Sequence, residues 1–450
     1  WSPMSKEMTS GNPLKIILSF TLPMLVGNIF QQFYSMVDTI VVGKFIGVKA
    51  LAAVGATGGI TFFVLGFILG LANGFAIIVS HRFGSKDEKG LKKVVGNSIV
   101  LAGAFGVVVS ILAVLFSRTI LELLKTPADI IDNSHAYLVV IFAGLLASLA
   151  YNLIASILRA LGDSKTPLVF LVVSSFINIV LDIAFVAGLK MNVEGTAYAT
   201  IISQAISFIL CFFYTKKHYP ILHLSKSDFV PDWKLIKQLL GIGLPGALSS
   251  SITAFGVMIV QGTINQLGSD YVAAYTAGTK VDQFFTIPMM SIGMAMSTFA
   301  GQNLGAGKVD RILSGVKQII FVVLGYAVVG GLILYNFGHI FLGIFINADS
   351  PHVIAAAIEY LRVIAFMCWA LGFVFLFRSV VQGMGNGFVP MIAGFVELIV
   401  RVLVSVFLSK SLGFTGICWA SPIAWVTCIA IIIPLFFRQL KIAKKQLGQA

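Results

Sequence analysis

The sequence predicts an all-α polytopic membrane protein: twelve transmembrane helices in two pseudo-symmetric six-helix bundles. Three observations lead there. Of 450 residues, 58% are hydrophobic and only 11% are charged, whereas a soluble chain carries about 25% charge. So few charges cannot cover a folded body of this size in water. Twelve windows supply the roughly 20 mostly apolar residues that a membrane helix needs. The second half of the chain also repeats the first. With 37 Phe and 44 Gly against 13 Pro, a disordered or collagen-like chain is excluded. The apolar runs are continuous, not alternating, which excludes an outer-membrane barrel.

In chain order, residues 1–12 are a polar N-terminal tail, and Trp1-Ser2-Pro3 ahead of Met4 reads as a cloning remnant. The tail runs straight into a long apolar segment, so no cleavable signal peptide is expected. The first bundle covers 13–215, with windows at 14–42, 51–80, 94–116, 134–158, 167–188 and 196–214. His81-Arg82, Arg118, Arg159, Lys190 and Lys216-Lys217 close the second to sixth windows. Pro23 is a natural kink site in the first window and is assigned as a hinge. A cytoplasmic linker, 216–235, follows; the polar stretch from Lys216 to Lys237 contains Pro220, Pro231 and five lysines. The second bundle covers 236–438, with windows at 236–265, 271–300, 316–337, 355–383, 388–409 and 413–437. Pro288 is a second kink site. Residues 439–450 form a cytoplasmic tail. Windows longer than 20 residues imply tilt, kinks or projection beyond the bilayer.

Lys and Arg decide the orientation. Assigning the N-terminus, alternate loops and the C-terminus to one side places 21 of the 31 there and 7 opposite, with Lys280, Arg378 and Arg401 within or at the edge of spans. Both termini should therefore be cytoplasmic, in a multi-pass cell-membrane protein. The net charge of +13 is scattered singly, with no aromatic-studded basic face, so it points to the membrane surface and not to nucleic acid. Cys211, Cys368, Cys418 and Cys428 all lie in apolar runs without pairing or metal-ligand spacing, and read as small buried hydrophobes.

The repeat is visible residue by residue. Phe45-Ile46-Gly47 and Ala52-Ala53 align with Gln266-Leu267-Gly268 and Ala273-Ala274 at an offset of 221. Phe83-Gly84-Ser85-Lys86 aligns with Leu304-Gly305-Ala306-Gly307 at the same offset. Tyr137-Leu138 with Tyr360-Leu361, Ser156 with Ser379, Gly162 with Gly385 and Pro167 with Pro390 hold an offset of 223. Six spans per half is an even number, so both halves enter the membrane in the same orientation. They are then related by an axis along the membrane normal, an arrangement characteristic of alternating-access transporters.

Over nearly its whole length after Met4, the chain resembles the multidrug and toxic compound extrusion (MATE) family, prokaryotic type. The resemblance rests on Pro23, on Gln31-Gln32-Phe33-Tyr34-Ser35-Met36-Val37-Asp38 followed by Val41-Val42-Gly43, on Leu158-Arg159-Ala160-Leu161-Gly162-Asp163-Ser164-Lys165-Thr166-Pro167, and on Gly301-Gln302-Asn303-Leu304-Gly305-Ala306. It implies bundles forming a V and a secondary-active antiporter that exports bulky, mostly cationic amphipathic compounds and drugs against H+ or Na+.

An ionisable residue in mid-span costs about 2.5–3.5 kcal/mol on insertion scales, so each needs an account. Asp38 follows the polar run Gln31, Gln32, Tyr34 and Ser35; it either reaches interfacial water or takes up a proton or sodium. Asn178 and Asp182 are four apart in the fifth span and share one helix face. A carboxylate and an amide oxygen suit a sodium ion or a proton equally, or they merely join helices. In the family resembled, aspartates of the first and fifth spans and the nearby asparagine form the cation site; Asp38, Asn178 and Asp182 occupy the matching positions. The repeat-related positions in the second half are Ile259, Arg401 and Ser405, so the cation site is expected in the first bundle alone.

Glu397 and Arg401, also four apart, read foremost as a structural salt bridge, and secondarily as a carboxylate meeting a cationic substrate while the arginine tunes it. Lys280 and Asp282 read as pore-lining or packing polar residues. Met289, Met290, Met294 and Met296 beside Pro288 suit a site that repacks around varied ligands, or plain packing. Gln32, Phe33, Tyr34, Met258, Gln261 and Asn265 complete the candidate substrate contacts. No GxxxxGK[ST] loop, nucleophile motif or metal-spaced histidine set occurs, so the chain is not read as an enzyme and its energy is assigned to an ion gradient. Apart from the coupling ion, H+ or Na+, no cofactor is expected; the partners are organic cations and the lipid bilayer, with a monomer sufficient. The alternative is a flippase for a lipid-linked precursor, which would favour a cationic cavity.

Overall fold

A computed structural model describes residues 6–344 and 351–449, apart from the side chains of Val48, Asn265 and Ser269. The described residues hold helices and no strand. The chain forms two compact units: Trp1–Glu7 with Leu22–Ser251, and Met8–Thr21 with Ile252–Ala450.

Unit 1 takes helix α1 (Pro13–Phe45) from Leu22 onward. It continues with α2 (Val48–Ala56), α3 (Gly58–Gly84), α4 (Glu88–Leu123), α5 (Ile131–Ala143), α6 (Leu145–Ala160), α7 (Lys165–Asp182), α8 (Val193–His218) and the first part of α9 (Trp233–Asn265). Unit 2 takes the rest of α9, then α10 (Ser269–Gly305), α11 (Val309–Leu342), α12 (Pro351–Gly383), α13 (Phe388–Leu412) and α14 (Phe414–Gln446). Eleven helices among the described residues are long and apolar enough to cross a membrane, and α5 with α6, bent by 48°, makes a twelfth span. That bend falls at Gly144, where a Cβ would lie 2.2 Å from the Ile201 side chain of α8. Close approach of α8 therefore requires glycine there, and glycine weakens the helix.

The backbone carries its own record of the repeat. Left-handed φ values occur at Gly47 (129°) and Gly268 (106°), and at Lys86 (58°) and Gly307 (73°). They recur at Gly162 (81°) and Gly385 (93°), and at Lys190 (54°) and Gly413 (62°). The offsets are the 221 and 223 that align the two halves. Such a conformation is costly for a residue with a Cβ, so four recurrences at one register mark shared helix-end geometry. The halves differ after Asp182. There α7 widens into a π-helical turn, Ile183–Gly188, whereas the related stretch of α13 is ordinary α-helix.

Polar side chains fix the segments outside the spans. Met8 and Thr9 are buried in unit 2. Met8 N–H donates to Gln302 Oε1 (2.8 Å), Asn303 Nδ2 and Arg311 donate to the Met8 carbonyl, and Lys308 Nζ donates to the Thr9 carbonyl at 2.6 Å. The segment leading into α1 is thus held by the GQN stretch and the start of α11. In unit 1, Asn97 of α4 donates to the Asp228 and Val230 carbonyls and accepts from Asp232 N–H (3.0 Å). Lys93 Nζ lies 3.0 Å from Asp232 and its hydrogen bond holds that carboxyl below the usual range. Asn97→Leu removes its bond to the Lys93 carbonyl and the three that hold this segment, a loss of about 2 kcal/mol or more. It is expected to make the 219–232 segment the first place that trypsin cuts; a cleavage pattern identical to the parent would contradict this docking.

Candidate functional site

The polar centre of unit 1 is built on α7. Its buried residues include Ser174, Ser175, Asn178 and Asp182, while Val169, Phe176 and Val180 face outward. This inverts the usual amphipathic helix, as lipid requires: apolar side chains outside, polar ones toward neighbouring helices. Asn178 and Asp182 have no exposed surface. Asn178 Nδ2 donates to the Tyr34 hydroxyl of α1 and to Thr200 Oγ1 of α8 at 3.1 Å. Thr200 Oγ1 donates in turn to the Thr196 carbonyl (3.0 Å). The Asp38 and Asp182 carboxyl groups lie within hydrogen-bonding reach of each other, with Tyr34 and Tyr137 beside them.

Four oxygens define what this centre can do. Asp38 Oδ1, Asn178 Oδ1 and both carboxyl oxygens of Asp182 are buried and have no hydrogen-bond donor among the described residues. A carboxylate is an acceptor only, so two of them meet favourably only through a shared proton or a cation between them. Burying such groups unpaired costs several kcal/mol. The Asn178 amide is turned by Tyr34 and Thr200, so that its nitrogen is occupied and its oxygen joins the set. Hard oxygens of this kind suit a proton or a small alkali cation. The described residues contain no group of three or more His, Cys, Asp or Glu placed to hold a metal ion.

The other sequence-selected residues are dispersed. Gln32 and Phe33 lie on the outward face of α1, while Tyr34 joins the cluster. Pro23 is buried within α1, two residues beyond the point where the helix passes from one unit to the other. Met258 is 38% exposed and Gln261 is half-buried; the Asn265 side chain lies outside the described residues. Met289 and Met296 are buried and Met290 is partly so. A Cβ on Gly372 of α12 would sit 3.1 Å from Met289 Sδ, so Met289 fills the α10–α12 contact.

Glu397 does pair with Arg401, at 2.7 Å, and it also meets Arg378 of α12 at 3.2 Å. The third member, 19 residues away from Glu397 in sequence, left no spacing signal to find it by. Thr200 and the π-helical turn were equally hidden, since one threonine in an apolar span carries no pattern. Asp282 accepts from Tyr360 Oη (3.4 Å).

The MatE family model matches residues 23–184 and 245–407. The chain is 32% identical to "Probable multidrug resistance protein YpnP" of Bacillus subtilis, over 84% of each chain. It is 23% identical to "Multidrug export protein MepA" of Staphylococcus aureus, over 92% of this chain and 91% of that one. Among solved structures, the outward-facing conformation of a multidrug resistance MATE family transporter superposes with a TM-score of 0.91 at 22% identity, covering 97% of this chain and 98% of the other.

Proposed function

This chain belongs to the MatE family of multidrug transporters, and on that premise we propose that it exports amphipathic, mostly cationic organic compounds in exchange for entering protons or sodium ions. It is a multi-pass membrane transporter and not an enzyme. The observation that carries the antiport reading is the set of four donor-free oxygens on Asp38, Asn178 and Asp182. An entering cation neutralises carboxylates that otherwise repel each other, and Tyr34 and Thr200 orient the amide that completes its shell.

α1 supplies the mechanical half of the reading. It carries Asp38 and Tyr34, and it changes unit between Thr21 and Leu22. Pro23 lacks the N–H that would bond the carbonyl one turn back, so the helix bends there at low cost. Occupation of the oxygen set biases that bend, which alternates access to the substrate cavity. The lysine and arginine asymmetry of the loops, 21 against 7, supports cytoplasmic termini, so that efflux runs outward from a membrane-embedded monomer. An acidic centre repels the diphosphate of a lipid-linked precursor, which disfavours the flippase reading.

Cells lacking their own efflux pumps provide the test. Expression of the chain is expected to raise the tolerated concentration of an organic cation such as ethidium, and Asp38→Asn at equal membrane abundance is expected to abolish the gain. Undiminished resistance with Asp38→Asn would remove this mechanism.

A further inference from the structure

We propose that unit 2 holds a second ligand site, a receptor for the carboxylate of an amphipathic zwitterion or organic acid, formed by Arg378 and Arg401 with Glu397 as its resident anion. The proposal rests on the transport reading above and extends its substrate class.

Two guanidiniums from different helices converge on one carboxylate. Arg401 Nη2 donates to Glu397 Oε1 at 2.7 Å, and Arg378 Nη1 donates to Glu397 Oε2 at 3.2 Å. Arg401 Nε donates to Ser421 Oγ of α14 at 3.1 Å, which fixes the plane of the guanidinium. Glu397 and Arg401 are 7% and 8% exposed. One cation is enough to neutralise Glu397, yet a second guanidinium, Arg378 with 20% of its side chain exposed, is also brought to the same carboxylate and leaves the cluster with a net positive charge. Scaffolding alone therefore explains one arginine but not the second.

The internal repeat supplies an independent argument. Arg401 and Ser405 stand at the positions, 223 residues on, of Asn178 and Asp182, and both pairs lie on the fifth span of their unit. The place that gathers donor-free oxygens in unit 1 gathers guanidinium N–H groups in unit 2. One fold thus presents a cation receptor in one half and an anion receptor in the other. α9 passes close to the cluster at Gly256, where an added Cβ would lie 3.7 Å from Arg401 Nη1 and 2.7 Å from Leu398, so that only glycine lets the helix come this near the guanidinium.

The ligand class follows from the resident group. Each oxygen of Glu397 takes one arginine, so the site is shaped for a planar, singly charged, two-oxygen anion, which is a carboxylate. An incoming carboxylate takes the place of Glu397 between the guanidiniums. A tetrahedral phosphate would present a third oxygen and a second charge to the same fork.

The experiment uses the purified full-length protein and two dyes that differ only at this group. Tetramethylrhodamine bears a free carboxylate and its methyl ester does not; binding of each is followed by fluorescence anisotropy. The wild type is expected to bind the free acid about tenfold more tightly than the ester, the worth of one charge-assisted hydrogen bond. Arg401→Gln is expected to bring that ratio to about one. Glu397→Gln, which releases both guanidiniums, is expected to raise free-acid affinity about tenfold, a gain that a purely structural role does not produce. Arg378→Gln replaces Arg401→Gln if the latter fails to elute as a single species. An acid-to-ester ratio that is the same in wild type and arginine variants overturns the proposal. If the ester binds while the acid does not, this site fails and the transport reading stands. If neither dye binds, both fail.

Discussion

Asp182→Asn is expected to weaken the response of substrate release to the coupling ion about a hundredfold, with little loss of stability. Both carboxyl oxygens of Asp182 are buried without a donor among the described residues, and the acidic group within reach is Asp38. The amide has the same shape, so packing is preserved. Its NH2 group donates to Asp38, which supplies locally the hydrogen bond that a proton or ion would otherwise bring. The cation loses one charged ligand and finds the other already engaged. Truncating one partner of a buried charge contact costs about 2–5 kcal/mol, or more than about thirtyfold in affinity. Titrating sodium, and separately acid, into protein loaded with a fluorescent organic cation measures the loss. A parental midpoint for the effective ion in Asp182→Asn would mean that the ion binds elsewhere.

The second large effect concerns packing inside unit 1. A Cβ placed on Gly74 of α3 would lie 2.5 Å from the Gly243 Cα and 2.8 Å from its nitrogen; one turn earlier, a Cβ on Gly70 would lie 2.6 Å from the Gly246 carbonyl oxygen. The backbones of α3 and α9 touch through two glycine pairs. Membrane helices lack a hydrophobic force between them and gain from such close approach. Because the obstruction is backbone and not the tip of a side chain, Gly74→Val cannot be accommodated by a rotamer change. It forces the helices apart, at a cost of about 3 kcal/mol or more. Gly103→Val on α4 is the control, since a Cβ there meets nothing within 4 Å. The first variant is expected to melt at least about 6 °C lower in detergent, with the second close to the parent. Equal melting of the two would show that the contact contributes nothing.

Much of this was legible in the residues because lipid imposes simple rules. Apolar windows placed the spans, and the offset of the repeat recurs as paired left-handed φ values, Lys86 with Gly307 and Lys190 with Gly413 among them. The four-residue spacing of Asn178 and Asp182 put them on one buried face because α7 is regular up to Asp182. What stayed hidden depends on tertiary approach. The break at Gly144 arises from Ile201, 57 residues on; Thr200 matters only because α8 brings it to Asn178; and Arg378 reaches Glu397 from another helix. The methionines near Pro288 were open to two readings, a soft ligand surface or plain packing. Met289 and Met296 are buried inside unit 2, as the packing alternative has it.

The central claim is that an ion gradient drives export through Asp38, Asn178 and Asp182. Its most direct test is efflux of a fluorescent organic cation from proteoliposomes under separately imposed pH and sodium gradients, for wild type and Asp38→Asn. Efflux by the wild type is expected to accelerate under one of the two gradients, and Asp38→Asn to respond to neither. Equal acceleration of both proteins would contradict that claim.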